Sequence, residues 1–222
     1  MQPLREAMVA TARELSASGL NVGTAGNLAV RTADAFLVTP TGIPYADLKP
    51  EHIVEVTLAG EARDGQLRPS TEWRIHRDIF IARPEMGATL HAHSPYATAL
   101  ACCRMGIPAF HYMVAAAGDR SIPCAAYAAF GTQALSDRVV GALTGRRACL
   151  MANHGMMVVG INLKDASRLA QEVEFLARLY CLSLQTGAPV ILSNAEMAEV
   201  LTRFTSYGQQ TDASDPETNQ GA

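Results

Sequence analysis

The sequence lacks the features that mark several classes of protein. Lys and Arg total 18 against 21 Asp and Glu, for a net charge of −3, and no basic run interrupts the chain. A nucleic-acid binder needs a basic patch to neutralise phosphates, so we expect no nucleic-acid partner. No apolar stretch approaches the length that crosses a bilayer, and the first residues lack the apolar segment of a secretory signal. We therefore expect a cytoplasmic protein with no membrane partner.

Disulfide bonds are not expected either. The five cysteines are an odd number, Cys102 and Cys103 are adjacent, and no pair has C-x-x-C spacing. This pattern argues against a disulfide framework and against a thiolate zinc site. We expect small buried thiols in a reducing compartment.

The chain does contain enough apolar residues for one core. A chain of 222 residues that is 49% hydrophobic can bury a full core in a single domain. No internal repeat or linker interrupts it, so residues 1–208 are predicted to form one domain. Residues 209–222 include no large apolar side chain and are predicted to be a disordered tail.

Helical and strand patterns alternate along the domain. Apolar spacing predicts a first helix that ends before Gly19 and a long helix whose buried stripe includes Val173. Ser70 or Thr71 is predicted to cap a helix that runs to Arg83. Further predicted boundaries are helix starts at Ser94, Asn162 and Ser193, a helix end at Gly145, and a last helix that closes near Gly208. Predicted strands are LAVR, FLVT, IVEVTL, GATLHAH, both halves of ACLMANHGMMVVG, and two candidates flanking PCAAYAAFG.

A pair of histidines stands at the end of one predicted strand. Because residues i and i+2 of a strand point to the same face, His91 and His93 can aim both imidazoles at one point. A catalytic zinc usually takes three protein ligands and keeps one position open. His154, in an NHG turn after another apolar strand, is the candidate third ligand. The alternative is two unconnected histidines.

The other histidines are predicted to have no functional role. His52 follows Pro50-Glu51 and is expected to be solvated, His76 lies on a helix beside charged residues, and His111 adjoins an apolar strand.

Three short turns are rich in glycine and hydroxyl side chains. They are GTAGN at 23–27, TPTG at 39–42 and PST at 69–71, and the last opens a helix. A helix N-terminus with free N–H groups and nearby hydroxyls can bind phosphate without Lys or Arg. The three turns indicate a phosphate site, although each alone is also typical of an ordinary turn.

These motifs together resemble the zinc-dependent class II aldolases. GTAGN, TPTGIPY, PSTEWRIH, H-x-H, IPAFHYM, IPCAAYAAFGT, NHG and SYG occur in the order and spacing of that family, from the first helix to about Gly208. The resemblance implies a single three-layer α/β/α domain with a mostly antiparallel central sheet. It also implies a homotetramer whose active sites lie at subunit interfaces.

The resemblance further implies a role for each motif residue. His91, His93 and His154 would hold one Zn²⁺ per subunit, and Glu72 would be the acid/base. The phosphate site would comprise Asn27, Thr41, Gly42, Ser70 and Thr71. Tyr112 and Tyr207 would reach the site from a neighbouring subunit.

The activity that the resemblance implies is reversible aldol cleavage of a ketose 1-phosphate to dihydroxyacetone phosphate and a small aldehyde. A metal would polarise the C2 carbonyl. Glu72 would move the proton at C3, and Tyr112 or Tyr207 the proton of the C4 oxygen.

Several alternatives stay open at this point. The substrate could be L-fuculose 1-phosphate, 5-deoxyribulose 1-phosphate or 5-methylthioribulose 1-phosphate. A dehydratase or decarboxylase of the same superfamily would retain the three histidines, whereas the 4-epimerases carry Asp in place of Glu72. A non-enzymatic adducin-like module is disfavoured, because the chain has the three histidines and Glu72.

Overall fold

A seven-stranded sheet forms the middle layer of the domain. The structure is a computed structural model and describes residues 1–63 and 66–204. The strands are β1 (Asn27–Arg31), β2 (Ala35–Val38), β3 (Val54–Thr57), β4 (Ala88–Ala92), β5 (Cys124–Ala125), β6 (Ala148–Met151) and β7 (Gly155–Gly160). Their order is β3-β2-β1-β4-β7-β6-β5. Neighbouring strands are antiparallel except β5 and β6, so the predicted mostly antiparallel sheet is confirmed.

Helices cover both faces of the sheet. They are α1 (Gln2–Ala17), α2 (Trp73–Ala82), α3 (Pro95–Cys102), α4 (Gln133–Ala142), α5 (Leu163–Thr186) and α6 (Asn194–Phe204). Short 3₁₀ turns span Tyr45–Asp47, Pro50–His52 and Tyr112–Ala117.

Strand alternation creates two cores. In β4, Leu90 joins the α1, α3 and α5 side, while in the neighbouring β7 Met157 and Val159 join the α2 and α4 side. Successive strand residues point to opposite faces, so a fully buried strand must supply apolar side chains to both. The result is the three-layer α/β/α arrangement that was predicted.

Two predicted caps are confirmed and one is wrong. Asn162 Oδ1 accepts the N–H of Asp165 at 2.9 Å, and Ser193 and Glu196 form a reciprocal capping box. By contrast, α2 begins at Trp73 with Glu72 in the cap position, and no side-chain cap bond is formed there. Glu72 therefore lies immediately before the first turn of α2, and contacts outside the helix hold its side chain.

Other predictions need correction. Helix α4 ends at Ala142, three residues before the predicted Gly145. Around PCAAYAAFG there is one two-residue strand, β5, beside an isolated bridge between Ile107 and Ile122. Cys102 and Cys103 are exposed, so the expectation of buried thiols is wrong for this pair. The predicted closure near Gly208 and the tail at 209–222 lie outside the described residues.

Within the described ranges, no helix is both long and apolar enough to span a membrane.

Three chain segments meet where the central strands β1, β4 and β7 begin or end. The first residue of β1, Asn27, pairs with His91 near the end of β4, and Ala92 pairs with Met156 of β7. The tight β6–β7 connection holds Asn153 in the left-handed region at φ 55°. His154 follows it, so strand pairing alone brings His154 to the end of β4.

Candidate active site

Three imidazoles converge at these strand ends. His91, His93 and His154 have ring centroids 4.7 to 4.9 Å apart, in edge-to-face pairs. One ring nitrogen from each lies within 4.8 Å of the others. His93 stands one residue beyond the end of β4, yet its ring still meets that of His91, with the two Nε2 atoms 2.9 Å apart. The predicted convergence of the three histidines is therefore what the structure shows.

The surroundings keep these imidazoles neutral and orient their ring nitrogens toward one point. His91 Nδ1 donates to the Met156 carbonyl at 2.8 Å, which leaves Nε2 with a free lone pair facing the site. Burial lowers the pKa of His91 and of His93, and the neighbouring His154 lowers that of His93 further. Burial and His91 together lower the pKa of His154 to about 4. Neutral imidazole is the form that binds a metal.

Glu72 lies against two of the imidazoles. Its carboxylate oxygens are 3.2 Å from His91 Nε2 and 3.3 Å from His154 Nε2, and the residue is 6% exposed. Burial raises the pKa of Glu72, but His91, His154 and the Asn27 amide outweigh it and hold the pKa below its ordinary value. Asn27 Nδ2 donates to Oε2 at 3.0 Å, and Ser70 Oγ accepts the Glu72 backbone N–H at 3.3 Å.

The residues present fit a divalent metal. Three neutral imidazoles beside one carboxylate form a donor set that zinc and other transition metals accept. Glu72 Oε1 is buried and makes no hydrogen bond among the described residues, although His154 Nε2 lies 3.3 Å from it. Such an oxygen is costly unless something else compensates its charge, and a cation held by the three histidines would do so.

A cavity of about 440 Å³ opens beside the three imidazoles. Its wall contains every residue predicted to bind phosphate, Asn27, Thr41, Gly42, Ser70 and Thr71, together with Glu72, His93 and His154. Backbone bonds join two of the three turns, since the Ser70 N–H donates to Thr39 and the Thr41 N–H to Arg68. Gly26 has φ 75°, and a Cβ there would stand 2.6 Å from the His91 carbonyl, so this turn needs glycine to approach β4.

Of the two predicted tyrosines, only Tyr112 is among the described residues, and it does not line this cavity. Tyr112 lies in a 3₁₀ turn, is 45% exposed and does not line the cavity. Tyr207 lies outside the described residues. His52 and His111 form local turn bonds, as acceptors from the N–H groups of Lys49 and Met113 respectively.

Sequence reasoning missed several residues around the site. Asn21 Oδ1 accepts the backbone N–H of His93 at 3.1 Å and so fixes the chain where β4 ends. Tyr127 and Phe130, in the loop after β5, also line the cavity. His76, predicted to be structural, is fully buried and bonds to Asn27. The motif IPCAAYAAFGT contained Tyr127 and Phe130, but no pattern in one sequence marks Asn21.

Comparison with known proteins agrees with this geometry. The family model described as Class II Aldolase and Adducin N-terminal domain matches residues 6–181. The chain is 49% identical over 213 residues to the 5-methylthioribulose-1-phosphate/5-deoxyribulose-1-phosphate aldolase of Rhodospirillum rubrum, covering 96% of both chains. It is 47% identical over 206 residues to the L-fuculose phosphate aldolase of Escherichia coli K12, covering 92% of this chain and 95% of the relative.

A solved structure of L-fuculose 1-phosphate aldolase superimposes with a TM-score of 0.89 at 36% identity, covering 92% of this chain and 97% of that one. The chain belongs to the class II aldolase and adducin N-terminal domain family. Within that family it is an aldolase, a lyase that acts on carbon–carbon bonds.

Proposed function

We propose that the chain is a zinc-dependent aldolase that reversibly cleaves a ketose 1-phosphate to dihydroxyacetone phosphate and a small aldehyde. The observation that carries the proposal is the meeting of three imidazoles, Glu72 and the three predicted phosphate turns around one cavity. His91, His93 and His154 hold one Zn²⁺ per subunit. When bound, the metal polarises the C2 carbonyl and stabilises the negative charge left as the C3–C4 bond breaks.

The polar turns bind the phosphate of the substrate. Asn27, Thr41, Gly42, Ser70 and Thr71 provide hydroxyl, amide and backbone donors, and no Lys or Arg of the described residues lines the cavity. Neutral donors at a helix start suit an anion in a chain of net negative charge. Binding energy from this remote group then orients the reacting atoms.

Glu72 moves the proton at C3. Its carboxylate lines the cavity between the imidazoles and the phosphate turns, and its lowered pKa keeps it ionised as a base. In condensation it removes the C3 proton of dihydroxyacetone phosphate, and in cleavage it returns that proton to C3. The Asn27 amide orients the carboxylate during both steps.

The other half of the substrate meets a mainly apolar wall. Tyr127, Ala128 and Phe130 supply apolar side chains to the cavity lining. In the homotetramer that we propose, Tyr112 and Tyr207 of a neighbouring subunit complete this side, and one of them handles the proton of the C4 oxygen. The unpaired thiols favour a reducing compartment and so support a cytoplasmic location.

The apolar wall favours an aldehyde without an essential polar group. A pocket of this kind discriminates by about 1–3 kcal/mol per methylene, whereas a site built on hydrogen bonds strongly rejects a substrate that lacks the matching group. We therefore expect tolerance at the aldehyde end and strict dependence on the C1 phosphate. The 5-deoxyribulose and 5-methylthioribulose 1-phosphates are the preferred candidates, and L-fuculose 1-phosphate is the second.

A substrate panel tests the proposal. Release of dihydroxyacetone phosphate would be measured from the three phosphorylated ketoses and from unphosphorylated L-fuculose. We expect turnover of more than one phosphorylated substrate and almost none of the free sugar. Comparable turnover of the free sugar would refute the phosphate assignment, and no release from any phosphorylated ketose would refute the reaction.

A further inference from the structure

His76 lies directly behind the candidate site. It is fully buried on α2, one turn after Glu72, and it does not line the cavity. Its Nε2 is 2.6 Å from Asn27 Oδ1, and its Nδ1 is 2.5 Å from Thr89 Oγ1. Asn27 in turn donates to Glu72 at 3.0 Å. Four residues thus form one buried chain of hydrogen bonds that ends on a carboxylate facing the cavity.

The donor and the acceptor of each of these hydrogen bonds follow from the carboxylate of Glu72 at the end of the series. An ionised carboxylate only accepts, so Asn27 must present its NH₂ group to Glu72 and its oxygen to His76. The oxygen needs a donor, so His76 must carry its proton on Nε2. Nδ1 is then an acceptor, and the Thr89 hydroxyl donates to it. Burial lowers the pKa of His76 to about 3, which agrees with a neutral ring that has one proton to place.

The amide of Asn27 has a second orientation of nearly the same shape. Turned over, it would set its oxygen against the Glu72 carboxylate and leave the NH₂ group toward His76. Two acceptors in contact inside a buried site are unfavourable, and Glu72 would lose its amide donor and move. The Nε2–H of His76 is the group that favours the productive orientation.

We propose that His76 is a positioning residue for the proton transfer, acting through Asn27 with its tautomer set by Thr89. This inference rests on the proposed function and assigns to that reaction a residue that does not touch the substrate. A purely structural histidine would fill the space behind Asn27 without any requirement for a donor at Nε2.

Matched variants separate the two roles. Gln at position 76 can place an N–H near Nε2, whereas Leu fills similar space without a donor. The assay is exchange of the C3 proton of dihydroxyacetone phosphate with solvent, per bound metal and at saturating substrate. We expect His76→Leu to lower kcat about tenfold or more. The bond that His76 supports runs from Asn27 to the ionised Glu72, and a hydrogen bond to a charged group contributes about 1.5–3 kcal/mol. We expect KM to change much less, and His76→Gln to restore most of kcat.

The hydroxyl partner supplies a second pair of variants. Thr89→Val keeps the β-branched shape that suits β4 but removes the donor to Nδ1, whereas Thr89→Ser keeps the donor. We expect a lower kcat in the Val variant and near wild-type kcat in the Ser variant. Equal kcat in the Leu and Gln variants at 76, or in the Val and Ser variants at 89, would overturn the proposal.

A double-mutant cycle tests the path through Asn27. If His76 acts by orienting that amide, His76→Leu should have little further effect on kcat in an Asn27→Ala background. Full additivity of the two effects would overturn the proposal.

The tautomer itself can be measured without any substrate. In protein with ¹⁵N-labelled histidine, loaded with zinc, the His76 ring signals are assigned by their loss in His76→Gln. We expect the Nε2–H tautomer, and an Nδ1–H ring would overturn the inference. This measurement does not depend on catalysis. A protein that cleaves none of the phosphorylated ketoses would refute the proposed function, whereas the tautomer would still test the positioning role of His76.

Discussion

Glu72 owes its properties to where it sits. It is buried, yet His91, His154 and Asn27 keep its pKa low, and its Oε1 makes no hydrogen bond among the described residues. A buried carboxylate that stays ionised lowers the stability of the fold unless a positive charge compensates it. Such carboxylates are typical of functional sites. The structure places this carboxylate at the wall of the cavity, which supports its proposed role as the base.

The proposed metal site can be tested one residue at a time. His91→Ala, His93→Ala and His154→Ala should each lose bound zinc and activity, because three ligands are needed to hold the metal. His52→Ala is the matched control, since His52 does not line the cavity and its Nδ1 accepts the N–H of Lys49 in a local turn. Metal content by mass spectrometry and far-UV circular dichroism check the result. Stoichiometric zinc in the folded His154→Ala protein would remove that residue from the site.

At the scale of the elements, the β6–β7 hairpin fixes the position of His154, the proposed third ligand. Asn153 adopts φ 55°, and a Cβ on Gly155 would stand 2.4 Å from the Ala92 carbonyl and 3.1 Å from the His93 ring. The hairpin can lie this close to β4 because glycine occupies position 155.

Gly155→Ala should therefore displace β7 from the end of β4. We expect a loss of about 1–3 kcal/mol in the free energy of unfolding, as for overpacked cores, and weaker zinc binding because His93 and His154 move apart. Gly141→Ala is the control: this helical glycine has open space around its Cβ position, so the change should stabilise by about 0.5–1 kcal/mol. Denaturant unfolding and zinc titration check both, and unchanged zinc affinity in Gly155→Ala would contradict the hairpin's role.

The sequence predicts the parts of the fold and of the candidate site that depend on residues close together along the chain. His91 and His93 follow from strand alternation, and His154 from a turn signal after an apolar run. The cap at Ser70 or Thr71 is a wrong prediction, because contacts with other segments place Glu72 at the cap position. His76 and Asn21 could not be ranked, since their partners lie 49 and 72 residues away along the chain.

At the scale of the whole molecule, buried histidines link folding to pH. The folded-state pKa values of His76 and His154 are about 3 and about 4, below the ordinary value of 6.5. The unfolded chain thus binds more protons below pH 6.5, so stability is lost as pH falls through that value. Lowered carboxylate pKa values add a further loss only at lower pH.

We expect the urea midpoint of chelator-treated protein to fall between pH 7.5 and pH 5.5. The fall should be smaller in His76→Gln, which lacks one of the titrating groups. Urea unfolding followed by circular dichroism at the two pH values measures it. A fall of the same size in the variant and in the wild type would contradict the contribution of His76.

The assembly that we propose makes its own prediction. If Tyr207 of one subunit reaches a neighbour's cavity, deleting residues 205–222 should slow cleavage while zinc content stays the same. Tyr207→Phe in the full chain is the matched variant that removes the hydroxyl alone. Unchanged kinetics in the truncated protein would show that this segment does not take part in the reaction.

The most direct test of the account is exchange of the C3 proton of dihydroxyacetone phosphate in deuterated water, without any aldehyde. Zinc-loaded wild-type protein should exchange one of the two C3 hydrogens, because Glu72 reaches C3 from one side. Glu72→Gln should retain zinc and lose most of the exchange, since the amide cannot take the proton. Exchange at the wild-type rate in Glu72→Gln, with zinc still bound, would contradict the central claim that Glu72 moves this proton.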